Sequence, residues 1–304
     1  MSIPVMSTGS FAQRLWPGLN HFYGDAYKAR LNEFEKIFDI RQSDKRYELA
    51  VQMSSLGLAA QKNEGGTTAY DYLKQVFTTR YENVMYSQGV AISHELLEDD
   101  QYSMGPLSLA MEELNRKMKI TKETLGANVL INAFSSSYLG GDGVSLGSAS
   151  HKRDDGGTFS NVPTTPADLS EAALEQSVID IAKFVDQRGI LIAAAPKRLI
   201  FGINDIFNQK RILGSDLRSG TTDNDLNALK TTGMIPDVAL NHYLSGNLWF
   251  IITDIENGLI HFSREAYRLD TNDDFDTMNT KVRSTERFCF GWSNPLGVYC
   301  VNAP

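Results

Sequence analysis

Five short patterns in this 304-residue chain hold residue types that do chemistry. Gly143-Val144-Ser145-Leu146-Gly147 spells GxSxG, the turn that exposes the nucleophile of a serine hydrolase. Ser145 would attack, with His261 and Asp254 as its proposed partners. That turn needs an apolar strand before it and a helix after it. Here Gly140-Gly141-Asp142 precedes and polar loop follows, so the segment reads as a flexible glycine loop. His94-Glu95-Leu96-Leu97-Glu98 opens like a zinc-protease helix but has no second histidine four residues on. Zinc needs two ligands on one helix face. The plainer reading is a helix start with acidic residues in its first turns, where the helix dipole favours them. Asp270, Asn272 and Asp274 alternate like calcium ligands, but Phe275 stands where the loop needs glycine and Lys281 where it needs glutamate. His151-Lys152-Arg153 is basic, yet Asp154-Asp155 follow at once, as in a solvated loop. Cys289 and Cys300 fall in two tail strands. If these pair around the turn after Trp292, the sulfurs point to opposite faces and stay free thiols. With no Walker A and no GxGxxG motif, the sequence leads to no catalytic, cofactor or metal site.

The elements that would position such groups are mixed. Residues 1–22, with Pro4, Gly9, Pro17 and Gly18, read as an extended arm. Residues 24–39 place Ala26, Leu31, Phe34 and Phe38 at helical spacing. The period then changes to two: Tyr47, Leu49, Val51 and Met53 alternate with Glu48, Ala50, Gln52 and Ser54, a strand with one apolar face. A polar tip follows, and then a second strand-like run over 76–92. Two such strands make a hairpin that is marginal alone in water. It therefore needs a partner surface, elsewhere in the chain or on another copy.

Residues 104–134 form the strongest helix signal, with Leu107, Met111, Leu114, Met118 and Leu125 on one stripe, Pro106 at the start and a possible break at Gly126. Residues 139–167 are loop by composition. A helix over 170–188 is capped by Ser170. Strands are expected over 198–202, 248–254, 258–263, 287–292 and 298–301, with short helices after Asn204 and Asp223, and Asn257-Gly258 favours a hairpin turn. Strands and helices are segregated, so the fold class is α+β.

Lys and Arg total 29 against 37 Asp and Glu, a formal net charge of −8. That balance argues against a protein held on nucleic acid by counterion release, though not against one that encloses nucleic acid without gripping it. No apolar run approaches the ~20 residues of a membrane span, and two cysteines fit a reducing cytoplasm.

The order of arm, helix, long hairpin, long helix, mixed insertion and late strands resembles the major capsid protein of tailed phages, the Hong Kong 97-type fold. The resemblance is closest to the phage-Mu-type major head subunits. It covers roughly residues 40–300 and is carried by ISHELLEDD at 92–100, DGGTFSN at 155–161 with LSEAALEQ after it, DNDLNALK at 223–230, NHYL at 241–244, WFIITDIENGLIHFSR at 249–264, and RFCFGW at 287–292.

The resemblance implies an N-terminal arm and short helix over 1–44 and an extended β-hairpin loop over 45–92 that lies on a neighbouring subunit. It implies a peripheral domain with a long spine helix over 93–165, an axial domain over 166–266, and return strands of the peripheral domain over 267–304. The intersubunit tip would be Gln61, Lys62, Asn63, Glu64, Gly65, Gly66, Thr67 and Thr68. The implied partners are further copies in hexamers and pentamers, a separate scaffolding protein (few residues precede the hairpin), a portal, decoration proteins, and enclosed double-stranded DNA bound without sequence specificity. No membrane and no cofactor are implied. The place is the virion, after assembly in the host cytoplasm. Lys62 and Asn294 match no cross-linking motif, so that chemistry is not carried over. An encapsulin-like compartment of the same fold is the alternative, and a serine hydrolase using Ser145 a remote one.

Overall fold

A computed structural model describes residues 5–7, 32–99, 106–217 and 226–303. Most of the expected arm, residues 100–105 and residues 218–225 lie outside them, and with these the start of the DNDLNALK segment. The helical stripe folds as α3, Pro106–Ile131. Ala110, Leu114, Met118, Ala127 and Leu130 are buried along it, and 26 residues make a rod of about 39 Å. It does not break at Gly126. A Cβ there would meet Phe38 and Phe290 at ordinary contact distance.

Against α3 lies a five-stranded sheet, ordered β1-β5-β12-β11-β2. Its strands are β1 (Val5–Met6), β2 (Asp39–Gln42), β5 (Val84–Ile92), β11 (Leu259–Asp273) and β12 (Thr280–Trp292). Helix α1 (Phe34–Ile37) leads into β2 and buries Phe34 and Ile37. Ser93 caps α2 (His94–Glu98), accepting the Leu96 N–H.

The short strands β6 (His151–Lys152) and β7 (Thr158–Phe159) pair antiparallel, and a four-stranded sheet, β13-β10-β8-β9, forms the second body. It comprises β8 (Pro196–Phe201), β9 (Asp237–Leu240), β10 (Leu248–Thr253) and β13 (Val298–Asn302). Around it pack α4 (Glu171–Ala182, capped by Ser170), α5 (Ile206–Gly214) and α6 (Ala228–Thr232). One hydrophobic cluster joins α1 and the end of α3 to β10 and β13, and a second fills the space between α4 and the four-stranded sheet.

Three expectations from the sequence change. The run 76–92 is two strands, not one: β4 (Gln75–Glu82) pairs with β3 (Tyr47–Met53), while β5 joins the five-stranded sheet. Between them Asn83 is buried, its amide donating to Ser43 Oγ and the Lys45 carbonyl. Asn257 does adopt a positive φ of 61°, but β10 and β11 on either side enter different sheets. The tail strands also part: β12 pairs with β11 and β13 with β10, and Pro295–Gly297 forms the crossing turn. Cys289 therefore lies opposite Phe262 and Cys300 opposite Phe250, and both are free thiols.

Candidate assembly surfaces

The chemistry-bearing residues do not converge. Ser145 Oγ donates to the Gly147 carbonyl, and no helix follows it. His261 is buried between strands, stacked on Phe290, with Nδ1 on the Cys289 carbonyl. Burial and the nearby Lys122 pull its pKa down to about 4. Asp254 accepts the Ala195 N–H. His94 pairs with Glu98 one turn on at 3.1 Å. Asp270 is taken up by Arg268 and Arg283, and Asp274 by Lys281 and by the amides of Asp276 and Thr277. Among the described residues no group of three His, Cys, Asp or Glu could hold a metal, and no helix is long and apolar enough to cross a membrane.

His151 is wholly buried rather than part of a basic patch. Nδ1 meets Asp142 at 2.6 Å, Nε2 meets the Leu146 carbonyl at 3.1 Å, and the ring stacks on Phe159. It pins the glycine-rich loop in place. Asn294 likewise caps the crossing turn, accepting the Leu296 N–H.

What the chain does present is unfilled apolar surface. In the β3–β4 hairpin the alternation seen in the sequence is inverted relative to the body. Tyr47, Leu49, Val51 and Met53 face outward, with Leu49 54% and Val51 44% exposed. The inward face carries Ala50 and Tyr81, and Tyr81 packs on Phe262 and reaches Ser293 Oγ. The hairpin thus does find a partner in its own chain, but for one face only.

Residues 56–74 run beyond the ladder and are all exposed, and all eight tip residues, Gln61 to Thr68, lie there. The tip closes in a turn in which Gly66 N–H donates to the Asn63 carbonyl and Gly65 has φ 75°. Leu58, Tyr72 and Leu73 stand in solvent with Tyr70, which is 94% exposed. The root of the loop is tied down. Arg188 grips Asp71 with two bonds of 2.7 and 2.9 Å, and Lys74 pairs with Asp154 at 2.8 Å. The Gly57 amide, then Arg188 and the Tyr72 amide, hold the Asp71 pKa at about 2.

Two further surfaces went unseen in the sequence. The β11–β12 hairpin ends in a turn fixed by Asp274 that displays Phe275, 97% exposed, and Met278. Its flanks (REAYRLDTND and TKVRSTE) are too charged to read as strands. Beside the spine helix an open cleft of about 460 Å³ is lined by Val84, Tyr86, Leu125, Val129, Tyr138 and Leu139. Isolated large apolar residues on a surface are normal, but contiguous ones on rigid strands mark association sites.

The spine helix, the two larger sheets and a tethered hairpin whose apolar alternation is turned outward together present an apolar surface that another molecule can cover. The comparisons place the chain. The family model for phage capsid proteins matches residues 76–301, and the chain belongs to that family. It is a phage major capsid protein with the Hong Kong 97-type fold. The mature capsid of bacteriophage PhiM1 superposes with a TM-score of 0.60 at 10% identity, over 94% of this chain and 91% of that one. A chain of Mycobacterium phage Patience gives 0.58 at 13% identity, over 100% and 94%. An encapsulin complex from Synechococcus elongatus gives 0.54 at 9% identity, over 96% and 94%. A search for sequence relatives among curated proteins finds no match.

Proposed function

We propose that this chain is the head subunit of a tailed double-stranded DNA phage or prophage, closing into hexamers and pentamers of an icosahedral shell. The observation that carries the reading is the outward apolar row of β3, continued by the exposed loop 56–74. A monomer gains nothing by holding Leu49 and Val51 in water on an ordered strand. A neighbour seated on that row removes them from it. Repeated head-to-tail contacts of this kind close into rings. The row and loop are the clasp, with Gln61 to Thr68 as its far end.

The net charge of −8 supports a wall that encloses DNA without adhering to it. Scaffolding, portal and decoration proteins would act on the shell from outside this chain. The shell would assemble in the host cytoplasm and persist in the virion.

The test is removal of 61–68. Because those residues are exposed, the shortened subunit should keep its thermal unfolding transition yet fail to form shells in negative-stain micrographs. Normal shells from that deletion would count against the clasp. The similarity to an encapsulin favours one second reading, a compartment for cargo protein. Shells purified from the native host separate the two: DNA inside supports the head, and a co-purified enzyme in its place supports the compartment.

A further inference from the structure

A titratable cluster sits where α1 meets the spine helix, apart from the apolar surfaces. Glu123 occupies the inward stripe of α3, one position where the burial pattern of a spine helix calls for an apolar residue. It is 4% exposed. Oε2 accepts the Phe34 N–H at 3.0 Å, and Oε1 is buried with no hydrogen-bond partner. Phe34 opens α1, whose Phe34 and Ile37 plug the main core beside Phe38. The carboxyl therefore holds the first turn of α1.

The groups around it come from α1, α3, β11, β12 and the loop after β9. Glu33 and Glu35 stand at the start of α1, and their charges act on Glu123. His242 and Tyr243 come from the loop after β9. Glu33 engages both the backbone N–H and Nδ1 of His242, at 2.8 and 2.5 Å, and the Tyr243 hydroxyl is pushed up by burial, Glu123 and Glu33. On α3 itself Lys122 pairs with Glu286 of β12 at 2.5 Å while its Nζ lies 5.0 Å from the centre of the Phe34 ring. His261 of β11 sets its ring against Phe34 at 5.3 Å.

We propose that Glu123 is a proton-operated seat for α1: protonated, it holds Phe34 and α1 against the spine helix, and ionised, it lets them go. The ionised carboxyl would be a buried charge with one bare oxygen and two like charges beside it, an arrangement that favours either neutralisation or opening. Burial first, then Glu33 and Glu35, raise its pKa from 4.5 to about 7, against the amides of Phe34 and Glu33. A carboxyl whose pKa is raised on seating stabilises the seated state fully below 4.5, and that contribution is lost as pH rises through about 7. The switch thus falls within the range of a bacterial cytoplasm and its surroundings.

Hydrogen exchange on the full chain tests this. Protection factors of amides 34–38, corrected for intrinsic rates, should fall about tenfold or more between pH ~5.5 and pH ~8. In Glu123→Gln they should stay high and flat. His242, which Glu33 engages, supplies the control: His242→Asn should keep the wild-type slope. Glu35→Gln, at an exposed position, should move the midpoint to lower pH. A slope that survives in Glu123→Gln, or vanishes in His242→Asn, overturns the proposal. Should Glu123→Gln fail to fold, an unmoved midpoint in Glu35→Gln overturns it. None of these outcomes bears on whether the chain forms shells.

Discussion

Asn161 is wholly buried and commits both ends of its amide to backbone. Nδ2 donates to the carbonyls of Leu146, Val298 and Pro295 at 2.7, 3.0 and 3.1 Å, and Oδ1 accepts the Ser148 N–H. It ties the glycine loop to the crossing turn and to β13 at one point. Asn227 does the same between α5 and α6, donating to the Ser215 carbonyl and accepting the Lys230 N–H. Trp249 donates to the Ala167 carbonyl. These residues lie in the segments that carry the resemblance to capsid proteins, so those segments mark backbone pins rather than reactive groups. Replacing Asn161 with Ala strands an amide and several carbonyls in a dry place, each worth ~1–3 kcal/mol. The expected loss is about 3 kcal/mol in urea unfolding of the subunit, and Asn161→Asp should be no milder, since it turns donors into acceptors facing carbonyls. The sequence marked Asn161 as part of a signature, but nothing local to it says which carbonyls it meets. Two of them are more than 130 residues away.

Helix α3 was legible because its stripe repeats within one element, where spacing alone decides which residues share a face. β3 was legible for the same reason, by its two-residue alternation. The strands that were misjoined fail on a different count. Residues 76–92 are uniformly strand-like, and the division at Asn83 is made by a tertiary contact with Ser43 and Lys45. The long β11–β12 ladder was invisible beyond Ser263 because its outer half alternates charge with charge. Gly126 gives a test at this scale. A glycine inside a helix is less favourable than alanine by ~1 kcal/mol, and the sequence alone suggested a break. The structure shows continuous helix, with Phe290 and Phe38 at 3.4 and 3.5 Å from where a Cβ would stand. Gly126→Ala should therefore stabilise the subunit by about 0.5–1 kcal/mol in thermal or urea unfolding. A loss instead would show that the two phenylalanine rings are closed on the helix too tightly to yield.

For the whole molecule the question is why a protein keeps an ordered apolar face in water. The root of the hairpin loop is held by Arg188–Asp71 and Lys74–Asp154, both pairs at the surface and partly exposed. Such pairs contribute little to stability but fix direction when several act together. They aim the loop, and the aim is useful only if something receives the loop. On the proposed clasp, the receiving surface is legible in neither sequence nor single chain, because another copy would complete it. A double substitution separates folding from association. Leu49→Ser with Val51→Ser changes side chains that are already half in water, so the isolated subunit should keep its unfolding midpoint. In a shell, removing two such side chains from a buried contact costs ~1.5 kcal/mol or more each. About 3 kcal/mol per subunit raises the concentration needed for assembly by ~100-fold. Light scattering across a concentration series should show that displacement, with the far-ultraviolet spectrum of the monomer unchanged. Assembly at the wild-type concentration would mean the β3 row stays in solvent in the shell. The clasp would then have to lie in the loop beyond it or at Phe275.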